Sequence, residues 1–190
     1  MTSSRVLRPL ALAATVLAFT AKAGQAQKQP YRLITLDPGH FHASLVQKFM
    51  SPDLDSTVHV YAPAGDDLAQ HLARIEAFNR RSDQPTHWNE VVYSGADYFK
   101  KMLADRAGNV VVIAGNNAQK TDYIVRAIDA KLNVLGDKPL VVTPPDLVKL
   151  RGAFKNAVAK RVLLYDIMTE RNEITNTLQR ELMTPALFGA

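Results

Sequence analysis

The chain has 190 residues, 47% hydrophobic and 22% charged, which is enough apolar mass for one ordinary domain and too little length for two full ones. Its formal net charge of +5 is dispersed, which argues against a nucleic-acid binder working through a basic stripe. There is no cysteine, so disulfides and cysteine-borne lipid anchors are excluded.

The amino-terminal residues 1–26 read as a secretory signal peptide. Arg5 and Arg8 precede an uncharged run from Pro9 to Ala21, and the small-residue sites Ala21-Lys22-Ala23 and Gly24-Gln25-Ala26 follow. The apolar run is too short to be a stable membrane anchor. A cut after Ala23 removes Arg5, Arg8 and Lys22, leaving +2, and the expected location is periplasmic or secreted.

From residue 27 onward two periods alternate. Tyr31–Leu36, Thr57–Ala62, Asn109–Ala114, Leu132–Leu135 and Val162–Ile167 are β-rich runs, several apolar almost throughout, as in strands covered on both faces. Between them, helical spacing relates Leu68, Leu72 and Ile75; Phe99, Met102 and Leu103; Ile124, Ala127 and Ile128; and Leu147, Leu150, Phe154 and Val158. Ser94-Gly95-Ala96-Asp97 resembles a capping box, and Thr143-Pro144-Pro145-Asp146 is a helix start. Asn79 to Asn89 is the expected long loop. This order predicts an α/β, Rossmann-like, mostly parallel sheet of about five or six strands with helices on both faces, spanning 27–182 and followed by a tail at 183–190.

In such a sheet, ligands bind beyond the carboxyl ends of the strands. The candidates are therefore Asp37–His42, Ala114–Asn117, Gly136–Pro139 and Tyr165–Arg171. In the first, only Gly39 remains of the three glycines of a dinucleotide fingerprint, and His40, Phe41 and His42 crowd the place where a diphosphate approaches. The acid expected at the end of the second strand is also displaced, because Asp66 and Asp67 come several residues late.

Ala114 to Leu150, AGNNAQKTDYIVRAIDAKLNVLGDKPLVVTPPDLVKL, resembles the central signature of the Gfo/Idh/MocA oxidoreductases: a strand ending near asparagine, a helix, a short strand, then Glu-Lys-Pro. The resemblance implies a domain that binds NAD or NADP and acts on a sugar or polyol. Lys138 then holds the position of the lysine near nicotinamide and substrate, where a cation stabilises alkoxide-like charge. Asp137 stands for the usual glutamate, and Pro139 stiffens a peptide commonly cis in the family. Pro38, Gly39, His40, Asn116 and Asn117 are the remaining candidates for contact with the cofactor, and one of the asparagines can instead cap the following helix. Family members carry a second, carboxyl-terminal domain, and the chain stops near where it would begin, so a truncated oxidoreductase is expected.

Two rivals stay open. His40-x-His42 with Asp37 nearby has the look of a zinc pair, but His59, His71 and His87 show no spacing that completes it, so packing without a metal is expected. Alternatively the domain is a non-catalytic binding or assembly module whose partner, or a second copy, covers an open edge. Glu170 and Glu173 read as a solvated helix face.

Overall fold

The computed structural model describes residues 31–168, 173–183 and 187. The proposed signal peptide, Glu170 and most of the tail lie outside them. The twelve elements are β1 (Leu33–Leu36), α1 (His42–Leu45), β2 (Thr57–Ala62), α2 (Asp66–Arg80), β3 (Asn89–Ser94), α3 (Tyr98–Asp105), β4 (Val110–Ile113), α4 (Asn117–Asp129), β5 (Asn133–Gly136), α5 (Pro144–Lys160), β6 (Leu164–Asp166) and α6 (Ile174–Leu182). Among the described residues no helix is long and apolar enough to cross a membrane.

The six strands form one parallel sheet in the order β3-β2-β1-β4-β5-β6. β1 lies at its middle, with Thr35 opposite Val60 on one side and Val112 on the other. Both β1 and β4 are buried at every position. Strand periodicity then divides their side chains between two layers. Ile34, Leu36, Val111 and Ile113 join Met102 of α3, Ile124 and Ile128 of α4 and Leu150 of α5 in one core. Leu33, Val110 and Val112 join Ile75 of α2 and Trp88 in the other, with Val46 and Phe78 packed against them. Helices thus cover both faces, and the expected Rossmann-like architecture is the observed one.

Three local expectations are corrected. β3 was not anticipated: Asn89–Ser94 is an edge strand with Val91 and Val92 exposed, so it lacks the apolar run of a doubly covered strand. Ser94 ends this strand instead of opening a capping box, and Asp97, the residue before α3, makes no side-chain cap and accepts from Tyr93 Oη at 2.6 Å. The long loop shortens to 81–88 because α2 runs through Arg80. Its end is pinned by Asn79, whose Nδ2 donates to the Trp88 carbonyl at 2.9 Å and whose Oδ1 accepts from Thr86 Oγ1 and the Trp88 amide. The start of α5 is as expected: Thr143 is its N-cap, accepting from the Asp146 amide, with proline in the first turn.

Candidate cofactor crevice

The carboxyl ends of β1, β2, β4 and β5 converge, and two close backbone turns form the floor between them. The turn after β1 begins at Asp37 with φ 48°, and the Gly39 amide donates back to the Asp37 carbonyl at 2.9 Å. The His40 amide donates to Ala114 at 2.8 Å, tying this turn to the end of β4. Gly115 makes that approach possible: at φ 150°, a Cβ there would stand 2.3 Å from the Gly39 nitrogen. A glycine after β4 thus lets the turn after β1 close on it.

Asp37 turns away from the histidines. Its Oδ2 accepts from Tyr123 Oη at 3.0 Å and Tyr98 Oη at 3.4 Å. Burial, followed by the contacts with Tyr98 and Asp37, pushes the Tyr123 hydroxyl far above its ordinary range and keeps it protonated. Asp37 is therefore not the third member of the anticipated histidine pair.

That place is taken by Asp137. Its amide donates to Ile113 at 2.8 Å, fixing the end of β5 beside β4. Its Oδ1 lies 2.9 Å from His42 Nδ1 in a buried hydrogen bond, and its Oδ2 lies 2.9 Å from His40 Nδ1. The second contact is off the line a hydrogen bond needs, leaving the buried His40 Nδ1 without a hydrogen-bond partner. Burial pushes the Asp137 carboxyl up. The bond and charge of His42, then the charges of Lys138 and His40, more than offset this and hold it below the usual carboxylate range.

Lys120 connects this cluster to α4. It is 1% exposed, and its Nζ donates to the Asp137 carbonyl at 2.9 Å and to Asn117 Oδ1 at 2.7 Å. Burial lowers the lysine's pKa, partly countered by the Asp137 charge. Asn116 is the N-cap residue of α4 in left-handed conformation, but its side chain makes no capping bond. The Lys138-Pro139 peptide is cis.

Two cavities flank the Pro38-Gly39 turn. One, of about 220 Å³, is lined by Asp37, Pro38, Ala62–Gly65 and Asp66–Leu68. The other, of about 260 Å³, is lined by Gly39, His40, Gly115, Asn116, Asn117, Asp137 and Lys138. Of the residues named for catalysis or cofactor contact, all but Pro139 line one or the other, whereas Tyr165 and Asp166 of the fourth candidate stretch line neither. Sequence reasoning set aside Asp66 and Asp67 as too late. The chain from Pro63 to Gly65 returns them to the turn, and Asp67 Oδ2 is 3.2 Å from where a Gly39 Cβ would be. Gly115 falls inside the candidate stretch Ala114–Asn117 without being singled out, and Lys120 lies outside every candidate stretch, although a lysine one helical turn beyond Asn117 was a visible signal. His59 lines a separate groove with Tyr61 and Asp105, His71 is buried in α2, and His87 is exposed. Glu173 accepts from the Asn176 amide at the start of α6.

Comparison with known proteins decides the family. The sequence model of the oxidoreductase family with an NAD-binding Rossmann fold, Gfo/Idh/MocA, matches residues 39–163. The chain belongs to the Gfo/Idh/MocA family. Among solved structures, an oxidoreductase-class protein of Parabacteroides merdae is 52% identical, with a TM-score of 0.80 over 85% of this chain and 38% of that one. The myo-inositol 2-dehydrogenase of Lactobacillus plantarum is 13% identical, with a TM-score of 0.56 over 81% of this chain and 41% of that one. Biliverdin reductase of Synechocystis, solved with biliverdin and NADP+, is 14% identical, with a TM-score of 0.54 over 73% and 38%. The last two share the fold. No curated protein matches the chain. The chain spans about two fifths of the length of these structures.

The crevice fits the family's dinucleotide at both flanks. Acids line the β2 side, where such folds hold a ribose, and amides with a lysine line the β5 side. The Gly39 and His40 amides are already committed to chain carbonyls, so the fit rests on the flanks and on the glycine-to-glycine approach rather than on those two donors.

Proposed function

We propose that this domain holds NAD(H) in preference to NADP(H) and serves hydride transfer to or from a carbinol carbon of a sugar or polyol. The observation that carries this reading is the placement of Lys138 at the end of β5, in the same cavity as Asn116 and Asn117. Asp66 and Asp67 would hold the ribose hydroxyls and repel a 2′-phosphate. Asn116 and Asn117 would line the nicotinamide side, and Gly39 and Pro38 the crossing between them.

A bound nicotinamide supplies the two-electron acceptor or donor. Lys138 would donate a hydrogen bond to the substrate oxygen and stabilise the negative charge that grows there as the C–H bond breaks. Asp137 acts through the turn. Its amide is fixed to β4 and its carbonyl to Lys120, so the backbone that carries Lys138 is held on two sides. The basic, apolar and small-residue order of residues 1–26 supports export to the periplasm or beyond.

A second reading has a specific observation behind it. Leu178 and Leu182 on α6 are exposed and line an apolar groove with Met183, and Leu163 and Tyr165 are exposed at the edge strand β6, both features suited to a partner or a second copy. Calorimetric titration of the chain with NADH and NADPH separates the two. Tighter binding of NADH supports the dinucleotide reading, and Lys138→Ala should retain that binding while abolishing polyol-dependent reduction of NAD. A folded chain that binds neither nucleotide would sink it and leave the partner-binding module.

A further inference from the structure

We infer that His40, His42 and Asp137 form a binding site for a divalent transition-metal ion of the Zn²⁺ type. The three side chains come from two strand ends and offer two imidazole nitrogens and a carboxylate whose ligand atoms all lie within 4.8 Å of one another. That spread is small enough for one ion with bonds of about 2.0–2.2 Å after slight rotation of the rings. Two imidazoles and one carboxylate select zinc and its neighbours over calcium or magnesium, which prefer an all-oxygen shell.

The details favour an ion over a purely structural contact. Both histidines present the same ring atom, Nδ1, to the two oxygens of a single carboxylate at 2.9 Å each. Only His42 achieves a hydrogen bond, and the buried His40 Nδ1 makes a charge contact with the carboxylate but no hydrogen bond. A cation between the three groups would satisfy that nitrogen. The Lys120 ammonium bonds the Asp137 carbonyl, so although the Lys120 and Lys138 charges lie nearby, the direct contacts of the carboxylate oxygens are with the histidines. Among the described residues, the histidines are the carboxylate's ion-pair partners. Asp137 is 2% exposed and His42 6%, while His40 and Asp137 also line the 260 Å³ cavity. A three-ligand ion would thus be held from below and could accept a water or an exogenous oxygen from the cavity side.

The test uses metal alone and does not depend on nucleotide binding. The chain, freed of metal by chelation, is titrated with Co²⁺ and then with Zn²⁺. The expected result is one equivalent of Co²⁺ with visible absorption bands of a low-coordinate N/O site, displaced by Zn²⁺. His42→Ala and Asp137→Asn should each weaken binding by about 100-fold or more, and His87→Ala should leave it unchanged. Should those variants fail to fold, nitrogen NMR of the unaltered protein decides, because Zn²⁺ must shift the Nδ1 resonances of His40 and His42. Absence of stoichiometric binding, binding indifferent to His42 and Asp137, or Nδ1 resonances that do not move would overturn the site.

Discussion

The two flanks of the Pro38-Gly39 turn are built differently. On the β2 flank, carboxylates of Asp66 and Asp67 line an open cavity at the start of a helix. On the β5 flank, a buried carboxylate, two histidines and a buried lysine bind one another across strand ends. The first flank offers groups to a ligand directly. The second spends much of its polar chemistry on positioning, which is costly to bury but fixes geometry. On the β5 flank the close Gly39–Gly115 backbone approach is therefore joined by side-chain contacts that the β2 flank lacks.

The comparison can be broken most severely at the joint between the flanks. Gly115→Ala puts a Cβ into the Gly39 backbone, which no side-chain rotation relieves, and should cost about 3 kcal/mol or more by urea denaturation. An ordinary stability would mean that the two turns are free to separate. Next, Lys120→Met should destabilise by about 2 kcal/mol, since it strips a donor from the Asp137 carbonyl and from Asn117 while keeping the apolar stem. An equally stable variant would remove the contrast between a positioning flank and a binding flank.

Glu90 is a control outside both flanks. Burial, partly offset by the hydrogen bond from Gln47, raises its pKa to about 7. The folded state therefore retains a proton that the unfolded chain releases, so stability is fully present below the ordinary glutamate range and is lost as pH rises through about 7. Glu90→Gln should recover on the order of 2 kcal/mol at pH 8 and little at pH 4, read from denaturation at both. A pH-independent difference would assign the effect to packing. The smallest effect belongs to the β2 flank: Asp67→Ala should weaken NADH by about tenfold, roughly 1.4 kcal/mol, with little change for NADPH. Equal losses for both nucleotides would show that Asp67 shapes the turn and reads no ribose.

Much of the sheet was legible because β1 and β4 are short runs buried at every position between layers and β2 is a β-rich run beside them. β3 was not, because an edge strand carrying Glu90 and exposed valines looks like the loop before it. Of the crevice, Asp137-Lys138-Pro139 could be read through the resemblance of Ala114 to Leu150 to the family signature. Its partner His42 could not, since the contact spans 95 positions and no spacing rule connects them. Asp66 and Asp67 come late along the chain but not in space, because Pro63 to Gly65 bring the helix start back onto the first turn.

The central position of β1 bears on when the crevice comes into being. β1 gains its first edge from β2, but its second edge and the anchor for His40 arrive only with β4, and the anchor for His42 only with Asp137. At translation speeds of about 5–20 residues per second, on the order of ten seconds separate synthesis of the first turn from that of its last partner. Until then His40 has its backbone anchor at Ala114 while His42 lacks its carboxylate partner. Capture of a ligand there is a clock for completed topology, and a chain released before Asp137 is made would carry the first βαβ unit without the crevice.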